Sequence, residues 1–332
     1  MDSCAIDPSI PRVESNGFKF PLGAYPVENL IPKPGYTIQF EPADGGDGEG
    51  DWEEWPDRYV FDAVLSADRV EPLCRMLFAL LPGRLFPILD VLGVDAFREI
   101  DPYIAYDLVP SERFLDSVRQ FRDFLFEDGM VGFGAMSQEP FLYIFIDEHK
   151  IITIRAQVEL KERIERILHA FDLEQVDDPA GADAAAHEHR GALLVADDRP
   201  DLLNPEEIVE RLRDAWELVL NVDPEANVDD EGNTLGITLW RCLARCEPPD
   251  ATVRYAEVVL RASCLREAEE SSFDAVERIT PGDIEWDNVV IVSSNRIKPE
   301  QMKEIVRSRK KPELRGKGDE PLILATWLNQ PG

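Results

Sequence analysis

Two short apolar runs, FLYIFI (residues 141–146) and IITI (151–154), stand four polar residues apart, with Asp147, Glu148, His149 and Lys150 between them. Both runs are rich in β-branched and aromatic residues and too short for a buried helix, so each reads as a strand. A four-residue connection is a common hairpin loop, which makes the two strands antiparallel neighbours in a sheet. Neither run shows a polar alternation, so both strands are expected to be covered on both faces. The charged tip then follows from geometry, because a hairpin loop leaves the core.

Around this hairpin the chain mixes strand and helix signals. RYVFDAVLS, DPYIAYDLV and MVGFGAMS read as strands. ADRVEPLCRMLFALLP reads as a helix, and so does SERFLDSVRQFRDFLF, with Phe114, Val118, Phe121 and Leu125 at helical spacing. VELKERIERILHAFDL puts Leu160, Ile164, Ile167, Leu168 and Phe171 on one stripe. Asn204-Pro205-Glu206-Glu207 is a strong helix start. Asn accepts from free backbone N–H groups, Pro sits where no N–H is needed, and Glu207 holds the capping-box position. That helix is expected to run to about Leu220. Paired strands follow across Pro248-Pro249-Asp250, then a short helix SSFDAVERI, a strand NVVIVSSNRI, a helix PEQMKEIVRSR and a last strand PLILATWLN.

The pattern is that of an α+β chain with two mixed sheet-and-helix domains. A lead-in rich in Pro, Gly and acids covers residues 1–56, and the first domain spans 57–173. An acidic linker is placed at 174–203 and the second domain at 204–332. FLDSVRQFRDFLF and IVERLRDAWELVL align at most apolar positions and share one Arg (Arg119, Arg213), so a diverged internal duplication is one reading.

The net charge of −31 constrains partners. It repels nucleic acid and anionic membranes and favours cations and basic protein surfaces. The exception is residues 298–318, with eight bases and three acids. There Arg309, Lys310 and Lys311 are the groups that would meet an anion, a nucleic acid or an acidic partner. No apolar run reaches membrane-spanning length, and the start of the chain shows no secretory signal pattern. Five scattered cysteines form no disulfide framework. A cytoplasmic location is expected.

Several residues draw attention as sites. Trp52 and Trp55 sit in a stretch with eight acids between Glu41 and Asp57, and are candidate anchors for a partner. Asp147, Glu148 and His149 form a candidate pocket at the sheet rim, with His149 as a general base. Asp101, Tyr103, Tyr106 and Glu139 are the polar residues expected beside them. The loop 221–236 has part of a calcium-loop spacing, from Asn227 through Asp229, Glu231 and Gly232. Its twelfth position is Thr238, which cannot chelate in bidentate fashion. His187 and His189 flank Glu188 with no third ligand in view, and their rings are expected to point oppositely in a strand pair or to lie at random in a linker. Cys242 and Cys246 share one strand face about 13 Å apart, too far for a disulfide or one zinc. No phosphate loop or nucleophile elbow occurs. No metal or cofactor is assigned from the sequence.

These features lead to an acidic protein-interaction module (an adaptor, inhibitor or immunity-like protein) that binds a basic partner surface. The alternative is an enzyme or ligand-binding protein built on the carboxylate and histidine pocket, dependent on a divalent cation.

Overall fold

The computed structural model describes residues 3–43, 55–93, 95–195, 199, 201–248, 253–282, 286–318 and 320–328. It divides into two compact units, residues 1–92 with 102–221 and residues 93–101 with 222–332. Both combine helices with antiparallel sheets, as expected of an α+β chain. Among the described residues, no helix is long and apolar enough to cross a membrane.

Strands of three or more residues are numbered here in chain order. Those of the first unit are β1 (Ala24–Pro26), β2 (Gly35–Glu41), β3 (Arg58–Val64), β4 (Arg84–Leu92), β5 (Ile100–Ala105, whose first two residues are counted with the second unit), β6 (Val131–Gln138), β7 (Phe141–Ile146), β8 (Ile152–Gln157), β9 (His187–His189) and β10 (Leu218–Leu220). One large sheet has the order β10-β5-β4-β6-β7-β8-β3-β2. The expected hairpin is present, with Ile146 opposite Ile152 and Leu142 opposite Ala156.

Its burial alternates, however. Leu142, Ile144, Ile146, Ile152, Ile154 and Ala156 are fully or almost fully buried, whereas Tyr143, Phe145, Thr153 and Arg155 are only half-buried. One face therefore holds the core and the other is partly open. Aromatic rings disguise this in the sequence. Phe145 lies flat on Gly132 and Gly134, where a Cβ would come within 2.9 and 3.0 Å of its ring, and it stacks on Tyr143.

The core face is covered by α1 (Ala67–Phe78), α2 (Ser111–Gln120), α3 (Arg122–Glu127), α4 (Lys161–Ala170) and α5 (Pro205–Trp216). Phe61, Phe114, Phe133 and Trp216 are entirely buried there, each worth about 1.5–3 kcal/mol. The capping box forms as expected, with Asn204 Oδ1 accepting from Glu207 N at 2.9 Å. The helix stops at Trp216, because Glu217 takes a left-handed conformation (φ 55°). The chain then continues as β10 beside β5. Trp216 packs on Phe114 at 5.0 Å between ring centroids. The two segments aligned as a duplication thus pack on each other inside one unit.

Residues 174–203 also belong to the first unit. They lack periodicity because they run extended along the proline-rich lead-in. Tyr36 bridges Gln175, Lys33 bridges Ala180, β9 pairs with β1, Ile6 bridges Leu193 and Ser3 bridges Leu202. Each segment supplies backbone partners to the other.

The second unit is a five-stranded antiparallel sheet with α6 (Leu265–Ile279) and α7 (Pro299–Ser308). Its longer strands are β11 (Thr238–Glu247), β12 (Arg254–Ala262), β13 (Asn288–Ile297) and β14 (Leu322–Leu328). Cys242 and Cys246 are buried free thiols, and burial pushes Cys242 up to about 11. Residues 93–101 dock here through Asp95, whose carboxylate takes the Arg296 backbone N–H at 2.7 Å and its Nε at 2.9 Å.

Candidate metal centre

The hairpin loop is held by its own first residue. Asp147 Oδ1 accepts from Ile151 N at 2.7 Å, and Lys150 N donates to the Asp147 carbonyl at 3.1 Å. Lys150 is left-handed (φ 66°). This turns its ammonium inward, 2% exposed, to donate to the Val131 carbonyl at 2.6 Å. Burial pushes Lys150 down to about 8, against the charges of Asp128, Asp147 and Glu148. The tip is therefore not wholly solvated. With Lys150 facing in, His149 stands at the rim.

His187 and His189 arrive on β9, with His187 opposite Pro26 and His189 opposite Ala24 of β1. In a strand, residues two apart point to the same side. The two imidazoles therefore project together, and Glu188 turns away to accept from the Tyr25 hydroxyl at 2.7 Å. This overturns the expected divergence of the two rings. It also brings them to His149. The three ring centroids lie 4.7, 4.7 and 5.1 Å apart, and one ring nitrogen from each falls within 4.8 Å of the others.

The second nitrogen of each ring is already engaged. His187 Nδ1 is 2.8 Å from the Ala185 carbonyl and His189 Nδ1 is 2.8 Å from the Gly129 carbonyl. His149 Nδ1 lies 3.3 Å from Asp147 Oδ2 and 3.6 Å from Glu148 Oε1. A carbonyl or carboxylate oxygen can only accept, so each Nδ1 carries the proton. Each Nε2 then presents a lone pair. The Nε2 atoms of His149 and His187 face one another at 3.0 Å. Two lone pairs at that distance repel unless a cation lies between them, either a proton or a metal ion. Tetrahedral zinc with Zn–N near 2.05 Å requires a nitrogen separation of about 3.3 Å, within a few tenths of an ångström of this pair.

Local charge favours a cation. Burial works to lower the His149 pKa, but the hydrogen bond and charge of Asp147, with Glu148 and Asp183, outweigh it and leave the pKa raised. His189 is lowered, first by burial and then by its histidine neighbours, against the Gly129 carbonyl. Asp90 is pushed up to about 6 by burial and by the charge of Glu148.

Beneath His189 three main chains cross. Gly23 N donates to the Glu127 carbonyl, Arg190 N to the Gly23 carbonyl and Gly129 N to the Arg190 carbonyl, at 2.7, 2.8 and 3.2 Å. A Cβ on Gly129 would stand 1.9 Å from the Gly23 oxygen. Asp128, fully buried, ties this junction together by accepting from Met130 N at 2.9 Å and Ala192 N at 2.7 Å.

No family model, curated protein or solved structure matches this chain. The chemistry of the site is therefore read from its own donors.

Of the residues singled out in the sequence, Asp147, Glu148 and His149 do come together. Glu139 sits at the far end of β7, about 25 Å of extended chain from Asp147. Tyr103 lies under the Arg213 guanidinium at 4.9 Å, and the Tyr106 hydroxyl meets Asn221. Asp101 belongs to the second unit, where Arg98 Nε reaches it at 2.6 Å. Trp52 lies outside the described residues. Trp55 packs on Phe141 and Tyr143, with the guanidinium groups of Arg58 and Arg155 about its ring. Arg309 donates to the buried Glu257 at 2.7 Å, while Lys310 and Lys311 are exposed. Sequence reasoning set His187 and His189 aside, because their rings were expected to diverge and no third ligand was in view. The signal that could have found them is their two-residue spacing, read as a strand.

Proposed function

We propose that the first unit binds a divalent transition ion of the zinc class through His149, His187 and His189. The observation that carries this reading is the clustering of three imidazoles whose Nδ1 atoms all face acceptors, with one nitrogen of each ring within 4.8 Å of the others and the Nε2 atoms of His149 and His187 facing one another at 3.0 Å. Metal-binding histidines characteristically carry such partners, because an acceptor on the second nitrogen fixes the tautomer and raises ligand basicity. Imidazole donors favour zinc, copper, nickel or iron over calcium and magnesium, which prefer oxygen.

This reading narrows the cation-dependent pocket expected from the sequence. Asp147 orients His149, and the ligands beside it are histidines. It also displaces His149 as a free general base, since its Nε2 faces His187. The interaction-module reading keeps its charge argument, but Trp55 and Arg309 are engaged within the chain.

The test is metal content. The protein, stripped with a chelator and reloaded with zinc, should retain one ion per chain through gel filtration and native mass spectrometry. His187→Ala should retain none. If the stripped protein takes up no zinc, cobalt or nickel, the proposal fails.

A further inference from the structure

The zinc-class centre just proposed has a further property that rests on that reading. We infer that its coordination shell is open, with a fourth position that takes a ligand from solution, and that this ligand is an uncharged lone-pair donor.

The donors available to the ion number three. Structural zinc sites are closed by four protein ligands, whereas sites that act on exogenous molecules use three and leave the fourth to water or substrate. Among the described residues, no further His, Cys, Asp or Glu joins the three imidazoles to make a set of four. The nearby carboxylates are committed elsewhere. Asp147 spends Oδ1 on Ile151 N and Oδ2 on His149 Nδ1. Glu148 approaches His149 from the same Nδ1 side, away from the point of convergence. Glu188 points off the opposite face of β9 to Tyr25. Asp183 is close enough for its charge to act on His149, but its side chain is exposed.

All three histidines are only partly buried, so a small molecule can reach the ion from solvent.

Local charge sets the class of ligand. Asp147, Glu148 and Asp183 all place negative charge on this site, and the whole chain carries −31. An anion approaching the ion must enter that field, whereas a neutral donor such as water or imidazole does not.

Cobalt(II) tests this, because its visible absorption reports coordination number and exchange of ligands. The stripped full-length protein is loaded with one equivalent of cobalt and titrated with imidazole and, separately, with azide. The expected result is a saturable spectral change with both probes, with imidazole at least tenfold tighter than azide. The spectrum of Asp183→Ala before titration should match that of the parent. A spectrum indifferent to both probes means a closed shell and overturns the inference while leaving the metal site standing. A changed starting spectrum in Asp183→Ala identifies Asp183 as the fourth ligand and also overturns it. Azide binding tighter than imidazole overturns the assignment of ligand class. Failure to take up cobalt at all refutes the three-histidine site itself.

Discussion

Gly129→Ala is the sharpest perturbation this structure offers. Gly129 does not need glycine for its backbone angles, since its φ lies outside the left-handed region. It needs glycine because the added Cβ would sit 1.9 Å from the Gly23 oxygen and 2.3 Å from its carbonyl carbon. Relief requires a main-chain separation of more than about 1 Å, since packed carbon and oxygen atoms do not approach much closer than van der Waals contact. The three backbone hydrogen bonds joining Gly23, Gly129, Glu127 and Arg190 cannot survive that shift. At about 1 kcal/mol each, their loss costs about 3 kcal/mol. The same movement carries the Gly129 carbonyl away from His189 Nδ1, and loss of such a partner typically lowers metal affinity about 10–100-fold. Urea unfolding with a chelator present measures the first effect, and competition with a chromophoric zinc chelator measures the second. Gly83→Ala is the control, because nothing lies within 4 Å of its Cβ position and its cost should stay within about 0.5 kcal/mol. If Gly129→Ala matches the parent in both assays, the crossing does not position His189.

Zinc affinity should fall as pH falls through the raised pKa of His149, because the ligand must be neutral. The metal-free protein should show the opposite trend from this group. Its His149 contribution to stability is complete below the unfolded value and is lost as pH rises through the folded one. Affinity titrations and metal-free unfolding midpoints, each across pH 5–8, check both signs. Asp90→Asn should stabilise the protein at pH 8 by about 3 kcal/mol and do little at pH 4. The folded carboxyl titrates near 6, so the parent loses stability as pH rises from about 4 to 6; equal unfolding midpoints at pH 8 would refute this. Glu257→Gln should destabilise the second unit by about 2 kcal/mol at pH 7, since it removes the carboxylate shared by Arg241 and Arg309. Burial raises the Glu257 pKa, but the two guanidinium groups outweigh it and hold it below the usual value. The penalty should therefore vanish as pH falls through that lowered value, as read from unfolding midpoints.

The sequence was most legible where one period dominates. The helix cap at Asn204, the hairpin at 141–157 and the pairing of β11 with β12 all follow from local patterns. β4 was passed over because Pro87 interrupts it, although Pro87 lies opposite Ala135 in the middle of the sheet. The covered and open faces of β7 were indistinguishable because Tyr143 and Phe145 count as apolar wherever they point. Residues 174–203 read as linker because their partners lie in the first forty residues, and such pairing leaves no local periodicity. The metal centre was hidden for the same reason. His149 and the His187–His189 pair each looked incomplete alone, and they meet through tertiary packing 38 residues apart in the chain. Glycines 23 and 129 gave no signal, since a close crossing of main chains is a tertiary fact.

The separation of 38 residues between His149 and His187 gives a bound ion a mechanical role as well. An ion held by both closes a loop of that length in the unfolded chain, as a disulfide would. By chain-entropy reasoning such a closure is worth about 4 kcal/mol. It differs from a disulfide in being independent of redox state and reversible by chelation. Withdrawing the ion would loosen the first forty residues and the 174–203 segment together, because each supplies backbone partners to the other. A protease that cuts both segments at the same chelator concentration, while sparing the hairpin strands, would be reading that shared tether.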